Sequence, residues 1–153
     1  MIRTHEWVYA RRAGMDLTAV AYLPDNPSSS TLLLDIHGGA WSSGDKHAGR
    51  HYCDAIAASG TPVVAIDFRQ GPDFQHPAAV EDIQLAVSHL RAEPPTPFSN
   101  LGLSGSSSGG HLWLSAATVS YTHLRAHETP EHRVCRGVGV KKKVGGGGGG
   151  GGG

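Results

Sequence analysis

Ser107 stands in the run Gly105-Ser106-Ser107-Ser108-Gly109, which fits Gly-x-Ser-x-Gly. A serine hydroxyl is a useful nucleophile only when a turn lifts it clear of the backbone and a base can take its proton. Glycines two before and two after remove the side chains that would collide in a tight strand-to-helix turn. Such a turn also aims the N-terminus of the next helix at the hydroxyl, where its positive end favours developing negative charge. Taken alone the pattern is weak, because an ordinary Ser/Gly-rich turn matches it. A phosphate-binding loop would require G-x-G-x-x-G or G-x-x-x-x-G-K-[ST], and neither fits.

About seventy residues earlier, His37-Gly38-Gly39-Ala40-Trp41 follows the apolar run LLLDI. Acyl transfer develops an alkoxide on the attacked carbonyl, and backbone N–H groups aimed at that oxygen are worth about 3–4 kcal/mol each. Two consecutive glycines let the backbone approach a substrate closely. The two motifs together are far more specific than either, because a strand–helix–strand–helix unit separates them.

The elements that must position these motifs follow from periodicity. Residues 5–10 and 17–23 read as short strands, the second closed by Pro24, and DNPSSS at 25–30 is a turn-rich connection. LLLDI at 32–36 and PVVAIDF at 62–68 are apolar runs suited to strands covered on both faces. A helix is expected over 46–59, with Tyr52, Ile56 and Cys53 on its apolar side and Gly60 ending it. Residues 79–92 form the best amphipathic helix, with Val80, Ile83, Val87 and Leu90 inward and Glu81, Asp82 and Arg91 outward. PPTP at 94–97 forbids continuation, Leu101 to Leu103 opens another strand, and Gly109 to Thr118 is helical. This alternation implies a parallel sheet with helices on both faces.

HGGAWSSGDK at 37–46, DFR at 67–69, HPAAVED at 76–82 and GSSSGGH at 105–111 resemble the α/β-hydrolase fold. The likeness is to its hormone-sensitive-lipase-like and feruloyl/acetylxylan-esterase-like branches, over roughly residues 15–118. Ser106 stands where the first branch usually has an acid, which favours the second slightly. The resemblance implies a doubly wound, mostly parallel sheet, truncated after the helix that follows the nucleophile turn. It also implies a serine hydrolase for carboxylic esters that works through an acyl-enzyme, with Ser107 as nucleophile. Gly39, Ala40 and Ser108 would donate the N–H groups of the oxyanion hole, and Gly38, Gly105 and Gly109 would permit the close turns. His37 would shape the loop rather than act as base, and Trp41 is expected to pack more than to touch substrate. A small-molecule ester is the expected partner, with no cofactor or metal. An amidase, peptidase or arylformamidase on the same fold, or a binding domain without catalysis, remain rival readings.

The triad of this fold runs serine, then acid, then histidine, with the last two typically ~90 or more residues past the serine. Only 46 residues follow Ser107. Asp35, Asp45, Asp67 and Asp82 precede it and are expected to be structural or surface groups, and His111 sits awkwardly in the next helix. From about Val119 periodicity stops. VSYTHLRAHET resembles the read-through translation of a transposase-type sequencing adapter, VCR fits its far end, and KKK with nine terminal glycines fits homopolymer codons. The alternative is a natural Gly-rich tail. The expected organisation is therefore residues 1–118 as half of a hydrolase domain and 119–153 as a non-native, disordered tail.

Lys and Arg number 13, as do Asp and Glu, so no charge excess suggests nucleic acid or anionic lipid. No run reaches the ~18 apolar residues of a membrane span. The start lacks a secretory h-region, and two cysteines argue against a disulfide scaffold, so a cytoplasmic setting is expected.

Overall fold

The computed structural model describes residues 1–124. Its elements are β1 (Ile2–Arg12), β2 (Met15–Pro24), β3 (Thr31–Ile36), α1 (Arg50–Ala58), β4 (Val63–Ile66), α2 (Ala78–Ala92), β5 (Asn100–Gly105) and α3 (Ser108–Leu124). The strands lie in the order β1-β2-β4-β3-β5. β3 is parallel to both β4 and β5, as expected of strands joined by crossover helices. The β1–β2 hairpin extends the sheet, and β2 meets β4 antiparallel.

Pleating divides the core into two layers. Leu32, Leu34 and Ile36 of β3 and Val64 and Ile66 of β4 face α2 and α3. Val63 and Ala65 of β4, with Val20 and Tyr22 of β2, face α1. Helices therefore cover both faces. Among the described residues, no helix is long and apolar enough to cross a membrane.

Three local expectations change. α1 begins at Arg50 rather than 46; residues 46–49 form a turn, in which the backbone N–H of Lys46 goes to Asp67 Oδ1 (2.8 Å) and that of His47 to Asp45 Oδ1 (2.8 Å). Its buried residues are Cys53 and Ala57, while Tyr52 lies at the edge of the stripe. Gly60, at φ +97°, ends the segment as expected and returns its N–H to Ala57 O (2.9 Å). α3 continues to Leu124, six residues past the expected end at Thr118. The rest of the expected tail lies outside the described residues.

The third change concerns Asp82, which was expected on the polar face of α2 but is 0% exposed. It is buried because Arg69 meets it there. The guanidinium reaches Asp82 Oδ1 at 2.8 Å, and the Arg69 backbone N–H donates to Oδ2 at 2.8 Å. Removing one member of a buried pair leaves the other charge uncompensated. Asp82→Ala is therefore expected to lose about 3–5 kcal/mol of stability in denaturant titration, whereas Glu81→Ala, at the exposed partner, should lose under ~1 kcal/mol.

Candidate active site

β3 and β5 are direct neighbours, in a register that sets Ile36 opposite Gly105. The chain after Ile36 and the chain after Gly105 therefore leave the carboxyl edge of the sheet side by side and at one height. This brings together the two segments separated by about seventy residues.

Ser107 is exposed and lies in the turn between β5 and α3, with φ +52°. A non-glycine residue in the left-handed region costs of order 1–3 kcal/mol and persists only where its surroundings enforce it. Gly105 enforces it from one side: a Cβ there would stand 2.7 Å from Gly109 C and 2.9 Å from Gly110 N. Gly109 does so from the other, since a Cβ there would run into the carbonyl oxygen of Ile36 and come within 2.6 Å of that of His37. The helix can thus begin directly against the end of β3. Ser108, its first residue, is buried.

The opposing loop is folded as tightly. Gly39, Ala40 and Trp41 have φ of +134°, +50° and +62° in succession. The carbonyl of Gly39 accepts from the N–H groups of Ser42 and Ser43 and from the Ser43 hydroxyl, each at 3.0 Å. A side chain at Gly38 would lie 2.8 Å from Ser106 O and 3.4 Å from Ser107 Cβ, so the loop passes directly over the serine turn. Gly38, Gly39, Gly105, Ser107, Ser108 and Gly109 are thus gathered at one edge of the sheet, with Ala40 exposed beside them.

His37 is buried, with its ring stacked on Phe68 at 4.4 Å. Its Nδ1 lies 2.8 Å from Gly38 O, which can only accept, so Nδ1 carries the proton. Nε2 has no hydrogen-bond partner among the described residues. Trp41 corrects an expectation: it is not packed inward but 52% exposed, because the left-handed turn throws it outward. There its ring meets His111 edge-on at 5.9 Å.

Several supporting residues lie within the quoted segments but were given no specific role there. Gly44, at φ +89°, wraps the loop, and a Cβ there would sit 2.7 Å from both Gly38 O and His37 Nδ1. Asp67 pins the loop's far end. It accepts from the Lys46 N–H (2.8 Å) and ammonium (3.1 Å) and from the Thr18 hydroxyl (2.7 Å). Asp35, buried on the α1 face, accepts from Ser104 Oγ (2.8 Å) and Tyr52 OH (2.6 Å), joining β3, β5 and α1 beneath the site.

Burial pushes the Asp67 carboxyl up, but the bonds from Thr18 and Lys46 outweigh it and hold the group below its ordinary value. A depressed folded-state value adds stability above the unfolded value, and that stability is lost as pH falls through the folded one. Asp67→Asn should therefore lower the melting temperature at pH 7. The gap to the unsubstituted chain should narrow below the ordinary carboxyl value of 3.8. Melts at pH 7, 5 and 3 check this.

The sequence profile of the BD-FAE family matches residues 20–137. The chain belongs to the BD-FAE family. An acetyl-hydrolase of Streptomyces hygroscopicus is 35% identical over 100 residues, covering 65% of this chain and 33% of that protein. Lipase 2 of a Moraxella species is 30% identical over 114 residues, covering 67% and 26%. This BD-FAE chain therefore spans a quarter to a third of the length of these curated relatives. Among solved structures, a hyperthermophilic esterase from the archaeon Pyrobaculum calidifontis superposes with a TM-score of 0.70 at 25% identity, covering 79% of this chain and 40% of its own. Esterase B from Lactobacillus rhamnosis, solved with a tributyrin phosphonate inhibitor, gives 0.69 at 27%, covering 83% and 44%. The fold is that of the α/β-hydrolases, and among the described residues its mixed sheet has five strands.

Proposed function

We propose that this chain carries the nucleophile and oxyanion loop of a serine carboxylic ester hydrolase. The observation that carries the reading is Ser107, exposed in the left-handed region at the strand–helix turn, with Gly38 laid against it. Ser107 Oγ attacks the ester carbonyl, its proton passes to a base, and the carbonyl oxygen becomes an oxyanion. The N–H groups of Gly39, Ala40 and Ser108 receive that charge, aided by the N-terminus of α3. The alkoxide leaves with a proton, and water then releases the acyl group from Ser107 by the reverse route.

His37 is a poor base in this arrangement, because it is buried and its Nδ1–H is committed to its own loop. His111 has its backbone N–H against Ser107 O (3.4 Å) and its ring against Trp41. The acid and base thus belong to later strands of the fold, and the 153-residue polypeptide is proposed to be inactive.

The test is a hybrid in which residues 1–118 are joined to the matching C-terminal region of the Streptomyces acetyl-hydrolase. It should hydrolyse a short-chain aryl ester, and Ser107→Ala should lower kcat by about 10⁴-fold or more. Equal turnover in the Ser107→Ala hybrid would refute the reading.

A further inference from the structure

Beside the serine turn, a cavity of about 540 Å³ opens between the 68–76 segment, the start of α2 and the first turns of α3. That size lies within the ~300–1,000 Å³ of small-molecule sites. Trp41, Phe68, Phe74, His76, His111 and Leu112 line it. Trp41 follows the oxyanion loop directly, and His111 is one turn from Ser107, so two of the cavity's lining rings belong to the segments that flank the nucleophile.

We infer that this cavity receives the acyl group of the ester, that it takes uncharged, apolar acyl groups larger than acetyl, and that Trp41 controls its entrance. The inference rests on Ser107 being the nucleophile. The choice of acyl over alcohol follows from proton traffic. A leaving alkoxide must be protonated by the base, so the alcohol faces whatever segment supplies the base. The acyl group stays on Ser107 and is held by the walls that Ser107 already has. All of those walls belong to residues 41–115.

The choice of an uncharged group follows from the walls. The one permanently charged side chain among them, Arg69, is consumed by Asp82 at 2.8 Å and Glu81 at 3.4 Å, with its guanidinium 5.7 Å from the Phe74 ring centre. A carboxylate on the acyl chain would lose hydration there without gaining a free cation. An acetyl group would leave most of the volume empty and most of the apolar wall unused.

Saturation-transfer NMR on the dilute 153-residue chain tests this with methyl benzoate, methyl acetate and monomethyl succinate. Methyl benzoate is expected to bind at least about tenfold more tightly than either of the others, since each added buried carbon favours association. Ala79→Trp and Ser115→Phe, which fill the cavity from two sides, should each abolish its signal while the far-ultraviolet circular dichroism is kept. Trp41→Ala should weaken it. Equal binding of the three esters, or methyl benzoate binding untouched in both filled variants, overturns the proposal. The two readings fail separately. Cavity binding beside Ser107-independent turnover in the hybrid would refute the nucleophile alone. Ser107-dependent turnover without cavity binding would refute the pocket alone.

Discussion

On the proposed assignment, in which neither His37 nor His111 serves as base, the 153-residue polypeptide should turn over a short-chain aryl ester at least about 10⁴-fold more slowly than the hybrid, because lack of a triad member costs this much. What remains on that assignment is a loop and a strained serine turn that would stabilise charge but cannot take a proton. The residual rate should be similar in Ser107→Ala, since without a base the hydroxyl adds little. The assay compares the two polypeptides at one substrate concentration, with the esterase-active hybrid as the upper reference. Ser107-dependent turnover above ~1 s⁻¹ in the uncompleted chain, an ordinary enzyme rate, would mean that a base lies within it. His37 and His111 would then be the candidates.

The second large effect concerns association. Among the described residues β5 has a sheet neighbour on one side only, β3. Its outer edge presents unpaired backbone groups in a strand whose Leu101 and Leu103 pack only partly against the core. Leu114 on α3 is 55% exposed. An open strand edge templates pairing with other chains. The isolated chain should therefore elute as dimers and larger species whose proportion rises with concentration, while the completed hybrid stays monodisperse. Light scattering after size exclusion, from a few micromolar upward, reads this directly. A chain that stays monomeric across that range would contradict the prediction.

How much of this could be read beforehand depends on how local each cause is. The serine turn is decided within five residues by glycines at 105 and 109, so its place between strand and helix was legible. The tight glycine loop after β3 was legible for the same reason. What aligns the two is the pairing of Ile36 with Gly105, a contact across about seventy residues that no local period encodes. Asp82 was placed on the wrong face because its helical position is polar by spacing, and the Arg69 that draws it inward lies thirteen residues back, outside the helix. Trp41 looked like a packing residue by type, but three successive positive φ values turn it outward. Gly44 lies in the segment HGGAWSSGDK, but its role appears only once the loop has folded back over His37. The BD-FAE match and the esterase neighbours agree with the fold that these motifs implied.

The most direct test of the nucleophile assignment is to find where an acyl-like group becomes attached. The hybrid should be treated with an aryl alkylphosphonate, whose phosphorus is attacked as an ester carbonyl is, then digested and fragmented by mass spectrometry. The segment offers Ser104, Ser106, Ser107 and Ser108 within five residues, so the position must be resolved to the single side chain. The account predicts one adduct, on Ser107, formed in step with the loss of esterase activity and absent from Ser107→Ala. Activity lost with the adduct on another residue, or lost equally in Ser107→Ala, would contradict it.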